Sequence, residues 1–282
     1  SHSHSHGHSH SQTVTVTPQN QKLHYLKETG IAGIMPLMAY LTIRPPTTRS
    51  NGKYDKKSHS KKSKKVKKSF TYPELILALL SSCLRVLNNV ARLQISAFQE
   101  FGSEYQMEIL HLLRILLPYC ATHIQSGDNN HVEGLLEQLL LFMGYFTLMN
   151  RKNQDLFRWG KVPTLMQQLC NLPFAYFSNA EKKELLFPTL ICVTFDNSPN
   201  KELMLRELNG KILMTYLSQK HEQYSKAMRS KHETTSKQAR DLKTSAKHKP
   251  GGREAIDYRK LEHRFPAEQW EVAVEFYSKQ ES

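Results

Sequence analysis

Residues 132–149, VEGLLEQLLLFMGYFTLM, constrain the fold more than any other stretch of the chain. A helix built from them is apolar nearly all round, so it has no face to give to water and must be enclosed. The continuous apolar run, Leu139–Met149, is closed off by Gln138 and Asn150 and is too short to cross a bilayer. The enclosing material therefore has to be protein, and this segment is expected to be a central helix.

Segments able to enclose it lie on both sides. Ile31–Ile43, with Pro36 near its start, follows Gly30, which is expected to end a short helix over Leu23–Leu26. Leu75, Leu77, Leu80, Cys83, Leu84 and Leu87 recur at helical spacing, and that helix is expected to continue toward Phe101. Thr71-Tyr-Pro-Glu74 and Ser103-Glu-Tyr-Gln106 read as capping boxes at helix starts. Asn153, Ser178-Asn-Ala-Glu181 and Ser198-Pro199 read as further caps, Pro163 as a helix start, and Pro188 as a kink. Apolar positions continue through Leu203, Leu208, Leu213 and Leu217, and Trp270, Val274 and Phe276-Tyr277 form one side of a last short helix.

Strand-like alternation is absent from this pattern. The expectation is an all-α, irregular HEAT/armadillo-like array, an α-solenoid with two disordered basic inserts and no fixed sequence period. Residues 1–17 read as a disordered His/Ser-rich tail or tag. Residues 18–282 read as one α-helical domain interrupted by basic loops at 44–70 and 220–253. The chain opens at Ser1 rather than Met, which reads as a piece of a longer protein; no signal peptide is visible, since residues 1–12 are polar. The four cysteines, Cys83, Cys120, Cys170 and Cys192, sit far apart in apolar segments and read as reduced core thiols of a cytosolic or nuclear protein.

The formal net charge of +14 is unevenly placed. Residues 44–70 hold eleven bases against Asp55 alone, and residues 220–253 hold ten against Glu222, Glu233 and Asp241. The remainder is slightly negative. Runs so rich in Lys and Ser bury too little apolar surface to fold alone, and their lysines can neutralise phosphates without reading sequence. Lys53, Lys56, Lys57, Lys61, Lys62, Lys64, Lys65, Lys67 and Lys68, with Arg229, Lys231 and Arg240, are the candidate nucleic-acid contacts. Aromatic residues such as Tyr54 and Tyr224 are rare in the two runs, so base stacking is not expected to dominate. The alternatives are an inert linker and a nuclear-import signal.

Catalytic constellations are not evident: there is no Gly-rich phosphate loop, GxSxG, HExxH or CxxC. Cys120-Ala-Thr-His123 has a chelating spacing but no second pair to complete it, so a core thiol beside a helix-end imidazole is the expectation. The His/Ser tract has no fixed second shell and is not expected to be a functional metal site. His111 is expected as a core or boundary imidazole, and Glu133 and Glu137 as a solvated helix face. No cofactor, no metal and no enzymatic activity are expected. Arg85-Val-Leu87, Arg114-Ile-Leu116 and Arg206-Glu-Leu208 have the Arg-x-Leu form that cyclin grooves accept, but their leucines should be buried. Trp270 and Phe276 are expected to pack the last helix; partner anchoring is their alternative role.

LPFAYFSNAEKKELLFPTLICVTFDNSPNKELMLRELN, beginning at Leu172, and DYRKLEHRFPAEQWEVAVEFYSKQ, beginning at Asp257, resemble the C-terminal helical region of the SCAPER family, the S-phase cyclin A-associated proteins of the endoplasmic reticulum. Leu186-Phe-Pro-Thr-Leu190, Arg264-Phe-Pro266, Trp270 and Phe276 are the most specific pieces, and Gly30-Ile-Ala-Gly-Ile34 with Pro36 fits the start of that region. The resemblance implies a non-enzymatic adaptor in tubulin autoregulation. It would dock on a ribosome-associated tetratricopeptide factor that recognises nascent tubulin, and the basic loops would contact ribosomal RNA. Through other parts of a full-length protein the resemblance also implies the cytoplasmic deadenylase complex and cyclin A as partners. The implied location is cytoplasmic, on the cytosolic face of the endoplasmic reticulum, with the nucleus as alternative and no membrane insertion in this fragment. The alternative is a pure protein-interaction scaffold with inert basic linkers.

Overall fold

A computed structural model describes residues 29–43, 70–124, 130–241 and 256–279, the side chains of 231–241 excepted. Its described residues form twelve α-helices joined by turns and short 3-10 segments, with no strand among them. The expectation of an all-α chain is met. In chain order they are α1 (Ile34–Ile43), α2 (Glu74–Leu93), α3 (Ile95–Glu104), α4 (Gln106–Ile124), α5 (Asn130–Thr147), α6 (Arg151–Asp155), α7 (Leu165–Cys170), α8 (Ala175–Ser178), α9 (Ala180–Thr194), α10 (Ser198–Glu207), α11 (Lys211–Asp241) and α12 (Trp270–Ser278).

Helix α5 is the central element. Every residue from Leu139 to Thr147 is buried, and α2, α3, α4 and α9 pack around it. All four cysteines are free thiols in buried positions. Burial pushes the Cys170 and Cys192 thiols up to about 12, so they stay protonated at neutral pH.

Several expected boundaries move. The capping box at Thr71 does not form; α2 starts after Pro73 with no side-chain cap. Tyr72 is buried there instead, its hydroxyl donating to the Thr42 carbonyl at 3.0 Å. The long helix toward Phe101 breaks at Gln94, whose φ of −152° is extended, and α3 begins at Ile95. Ser103 and Gly102 lie inside α3, and Gly102 is required because a Cβ would come 2.8 Å from the Phe146 ring. Asn150, Asn179 and Asn197 are the caps, respectively three residues before, one after and one before the expected positions. Thr164, after the cis Val162–Pro163 bond, forms a full capping box with Gln167.

The largest departure concerns residues 220–241, which continue α11 as helix instead of forming an irregular insert. The reason is local. No Gly or Pro interrupts 211–241, and Glu222–Lys226 forms an i,i+4 ion pair at 2.7 Å. The rest of that insert, 242–253, lies outside the described residues, as do 1–28, 44–69, 125–129 and 254–255. The expected tail, the Leu23–Leu26 helix and the whole 44–69 lysine run are therefore not part of this description.

A repeated corner orders the array. At the α5–α6 turn, Thr147 Oγ1 donates to Met143 O, Met149 has φ 52°, the Asn150 side chain caps Asn153 N–H, and Asn153 Nδ2 donates to Phe146 O. At the α9–α10 turn, 47 positions later, Thr194, Asp196 (φ 56°), Asn197 and Asn200 make the same set, the last donating to Val193 O. In each case a side chain from the preceding corner closes the helix end. Gln99 Nε2 donates to Tyr145 O and Leu148 O, and Gln154 Nε2 donates to Cys192 O and Phe195 O. Lys201, 47 positions after Gln154, does the same at the next end, donating to Phe276 O at 2.9 Å and Lys279 O at 2.8 Å. A cation suits that place, because it meets the negative end of α12.

Candidate functional site

The segment 256–266 crosses the helices as a strap held by Arg264. The guanidinium is fully buried: Nη1 donates to Leu185 O at 2.7 Å, and Nη2 to Leu140 O at 3.1 Å and Thr189 Oγ1 at 2.6 Å. Gly144 leaves it room, and Nε has no acceptor. No carboxylate pairs with it among the described residues, so burial holds its pKa below the usual arginine value. Phe265 and Trp270 are buried next to it, with Trp270 Nε1 donating to Phe265 O at 3.1 Å.

Two hollows flank the strap. Between it and α11 is one of about 650 Å³ lined by Lys220, Tyr224, Met228, Ile256, Lys260 and Trp270, among others. Between it, α2 and α5 is one of about 210 Å³. At the second, Asp257 is bound by Arg259 at 2.8 and 3.1 Å, which holds its carboxyl below the usual range. Burial pushes Glu137 up, against the nearby Arg259 charge. Glu133 instead pairs with Lys182 at 2.8 Å.

The expected site residues divide three ways. Lys53, Lys56, Lys57, Lys61, Lys62, Lys64, Lys65, Lys67 and Lys68 lie outside the described residues. Arg229, Lys231 and Arg240 are on α11, a helix where an irregular loop was expected; Arg229 is exposed, and the other two side chains are not described. Trp270 is 1% exposed and Phe276 packs on Phe195, Tyr277 and the Lys201 ammonium. Both pack α12 onto the array, as expected; Trp270 is buried and Phe276 half-buried.

Other expectations are settled by placement. Cys120 is buried and His123 Nδ1 lies 2.8 Å from Tyr119 O, the core-thiol arrangement. Among the described residues no three His, Cys, Asp or Glu side chains gather as a metal site. His111 is exposed, not a core imidazole. Leu87 and Leu116 of the Arg-x-Leu sequences are buried, and Leu208 is half-buried. Helix α2 is long and apolar enough to cross a membrane, contrary to the reading from continuous runs, because Leu-rich turns offset its scattered Ser and Asn. Its Leu77, Leu80, Leu84 and Leu87 are buried in the array.

The described residues form an all-α array in which the buried Arg264 of the strap ties the central helix α5 to α9. No family model matches the chain. It is 29% identical over 262 residues, 91% of its length, to human S phase cyclin A-associated protein in the endoplasmic reticulum, abbreviated SCAPER. The similarity first carried by the Leu172 and Asp257 segments therefore extends over nearly the whole chain, a SCAPER-like region, which spans 16% of that relative.

Proposed function

We propose that the chain is a non-enzymatic adaptor domain with a HEAT/armadillo-like helical scaffold. In this reading it docks on a ribosome-associated tetratricopeptide factor that recognises nascent tubulin, and it touches ribosomal RNA through its basic segments. The observation that carries it is the separation of charge: a near-neutral packed array with its bases concentrated in 44–70 and 220–253. On α11 the described side chains from Lys226 to Ser230 are all exposed, so a basic helix face is open to a polyanion. The repeated corner supports a scaffold built from stacked helical units. Tubulin mRNA decay, deadenylase recruitment through other parts of a full-length protein and a cytosolic position at the endoplasmic reticulum belong to the same reading.

Deleting residues 50–69 should weaken co-sedimentation with ribosomes and flatten its salt dependence. Unchanged pelleting and slope would remove the RNA contact from the account. The relative's name supports a second reading, an interaction scaffold for cyclin A. Burial of Leu87 and Leu116 means that such binding would use a surface other than those Arg-x-Leu sequences.

A further inference from the structure

The chain has two tryptophans, and they differ in setting: Trp270 is buried, whereas Trp159 is 53% exposed. Three residues on, Val162 is 78% exposed. Both lie in Arg158-Trp-Gly-Lys-Val-Pro163, six consecutive exposed residues that carry the chain from the 3-10 segment after α6 to the start of α7. A single exposed apolar side chain is ordinary, but an indole and an isopropyl group on one short turn form a patch.

The turn is braced from behind. Arg114 of α4 donates from Nη2 to Trp159 O at 2.6 Å and, at 3.4 Å, to Lys161 O. Gln168 Nε2 donates to Pro163 O at 3.0 Å, and the Trp159 N–H donates to Leu156 O. Gly160, at φ 88°, is where the turn lies against Arg114, since a Cβ there would overlap the guanidinium. Three carbonyls of the turn are thus satisfied by the protein itself, and Pro163 has no N–H to satisfy. Backbone already paired in this way is what a segment needs in order to leave water.

The surroundings carry one sign of charge. From 151 to 163 Arg151, Lys152, Arg158 and Lys161 stand against Asp155 alone. Asp155 is itself held by Arg158 at 2.9 Å and Arg151 at 3.5 Å, and Lys152 and Lys161 are exposed. A nucleic acid would use the cations and the indole, but it gives Val162 no apolar phase to enter and has no need of the paired backbone. An anionic bilayer surface uses all of these features: the indole at headgroup level, the valine beside it, and the cations at lipid phosphates. We infer that the turn Arg158–Pro163 is a peripheral contact for an anionic lipid surface. Trp159 and Val162 enter the headgroup–acyl boundary, Lys152 and Lys161 meet the headgroups, and no segment spans the bilayer. This contact goes beyond the ribosome-docking reading and does not depend on it.

Trp159 is its own reporter, because Trp270 is already enclosed. The test titrates the whole chain with phosphatidylcholine vesicles, with and without phosphatidylserine, and follows tryptophan emission. The basic runs can hold the chain on anionic vesicles by charge alone, so the emission decides, not pelleting. Phosphatidylserine vesicles should shift the emission to the blue, and lipids brominated on the acyl chain should quench it. Trp159→Ser should abolish both effects. Val162→Ser keeps both tryptophans and should weaken the vesicle affinity read by the shift roughly tenfold. Lys161→Gln should weaken it roughly fivefold. Melting curves of all three variants should match the parent, since each side chain is exposed. Pelleting without a blue shift, a shift that survives Trp159→Ser, or one indifferent to Val162→Ser would each overturn the contact. Quenching by poly(U) with no shift on vesicles would assign the turn to nucleic acid and overturn it as well.

Discussion

Gly144 and Arg264 share one space: a Cβ on Gly144 would overlap Nη2 of the guanidinium that crosses between α5 and α9. The strap is keyed to the central helix at this point. Gly144→Ala should cost about 1–3 kcal/mol, because the arginine is hydrogen-bonded on the far side and has nowhere to move. Arg264→Met should be within about 1 kcal/mol of the parent or more stable, since it removes a buried charge that no carboxylate compensates. The double variant should recover much of the Gly144→Ala loss, and chemical denaturation of all four proteins measures that coupling.

The repeated corner predicts graded losses. Gln154 is buried, and Gln154→Ala strands the Cys192 and Phe195 carbonyls, which should cost about 1–3 kcal/mol. Gln99 makes the same bonds from a half-buried position, so Gln99→Ala should cost less, because water can reach its place. Equal losses in thermal melts would mean that solvent exposure does not set the cost of stranding these carbonyls.

The central helix was legible because α5 is apolar all round, and Leu140, fully buried, is where it can be checked. Leu140→Ala should lower stability by about 2–5 kcal/mol. The last helix was legible from Trp270 and Phe276. The break at Gln94 was not, since no Gly or Pro marks it. Arg264 was visible as a sequence landmark, but its burial was not, because periodicity places charges outside and only the Gly144 notch makes room. Residues 220–241 misled through their charge: composition resembled a linker, while the absence of breakers let the helix run. The Thr-x-x-Asn-x-x-Asn pattern at Thr147 and Thr194 was the available signal for the repeat, and its 47-residue spacing went unread among the leucines.

Alkaline pH should destabilise the fold. Cys192 and Cys170 are held up to about 12 by burial against a usual thiol value of 9.0. A raised acid is neutral in the folded chain and ionises first in the unfolded one, so the stability is fully present below pH 9 and is lost as pH rises from 9 toward 12. The melting temperature should be flat from pH 7 to 8.5 and fall above 9. Thiol reagents at pH 8 should leave both cysteines unmodified until denaturant is added; rapid native labelling would contradict their burial.

Co-sedimentation of the chain with ribosomes across a salt series, with and without the tetratricopeptide factor, tests the central claim most directly. The account predicts pelleting that needs the factor and weakens steeply with salt, the slope falling when residues 50–69 are removed. No pelleting under any condition would contradict it and leave a helical scaffold without a ribosomal role.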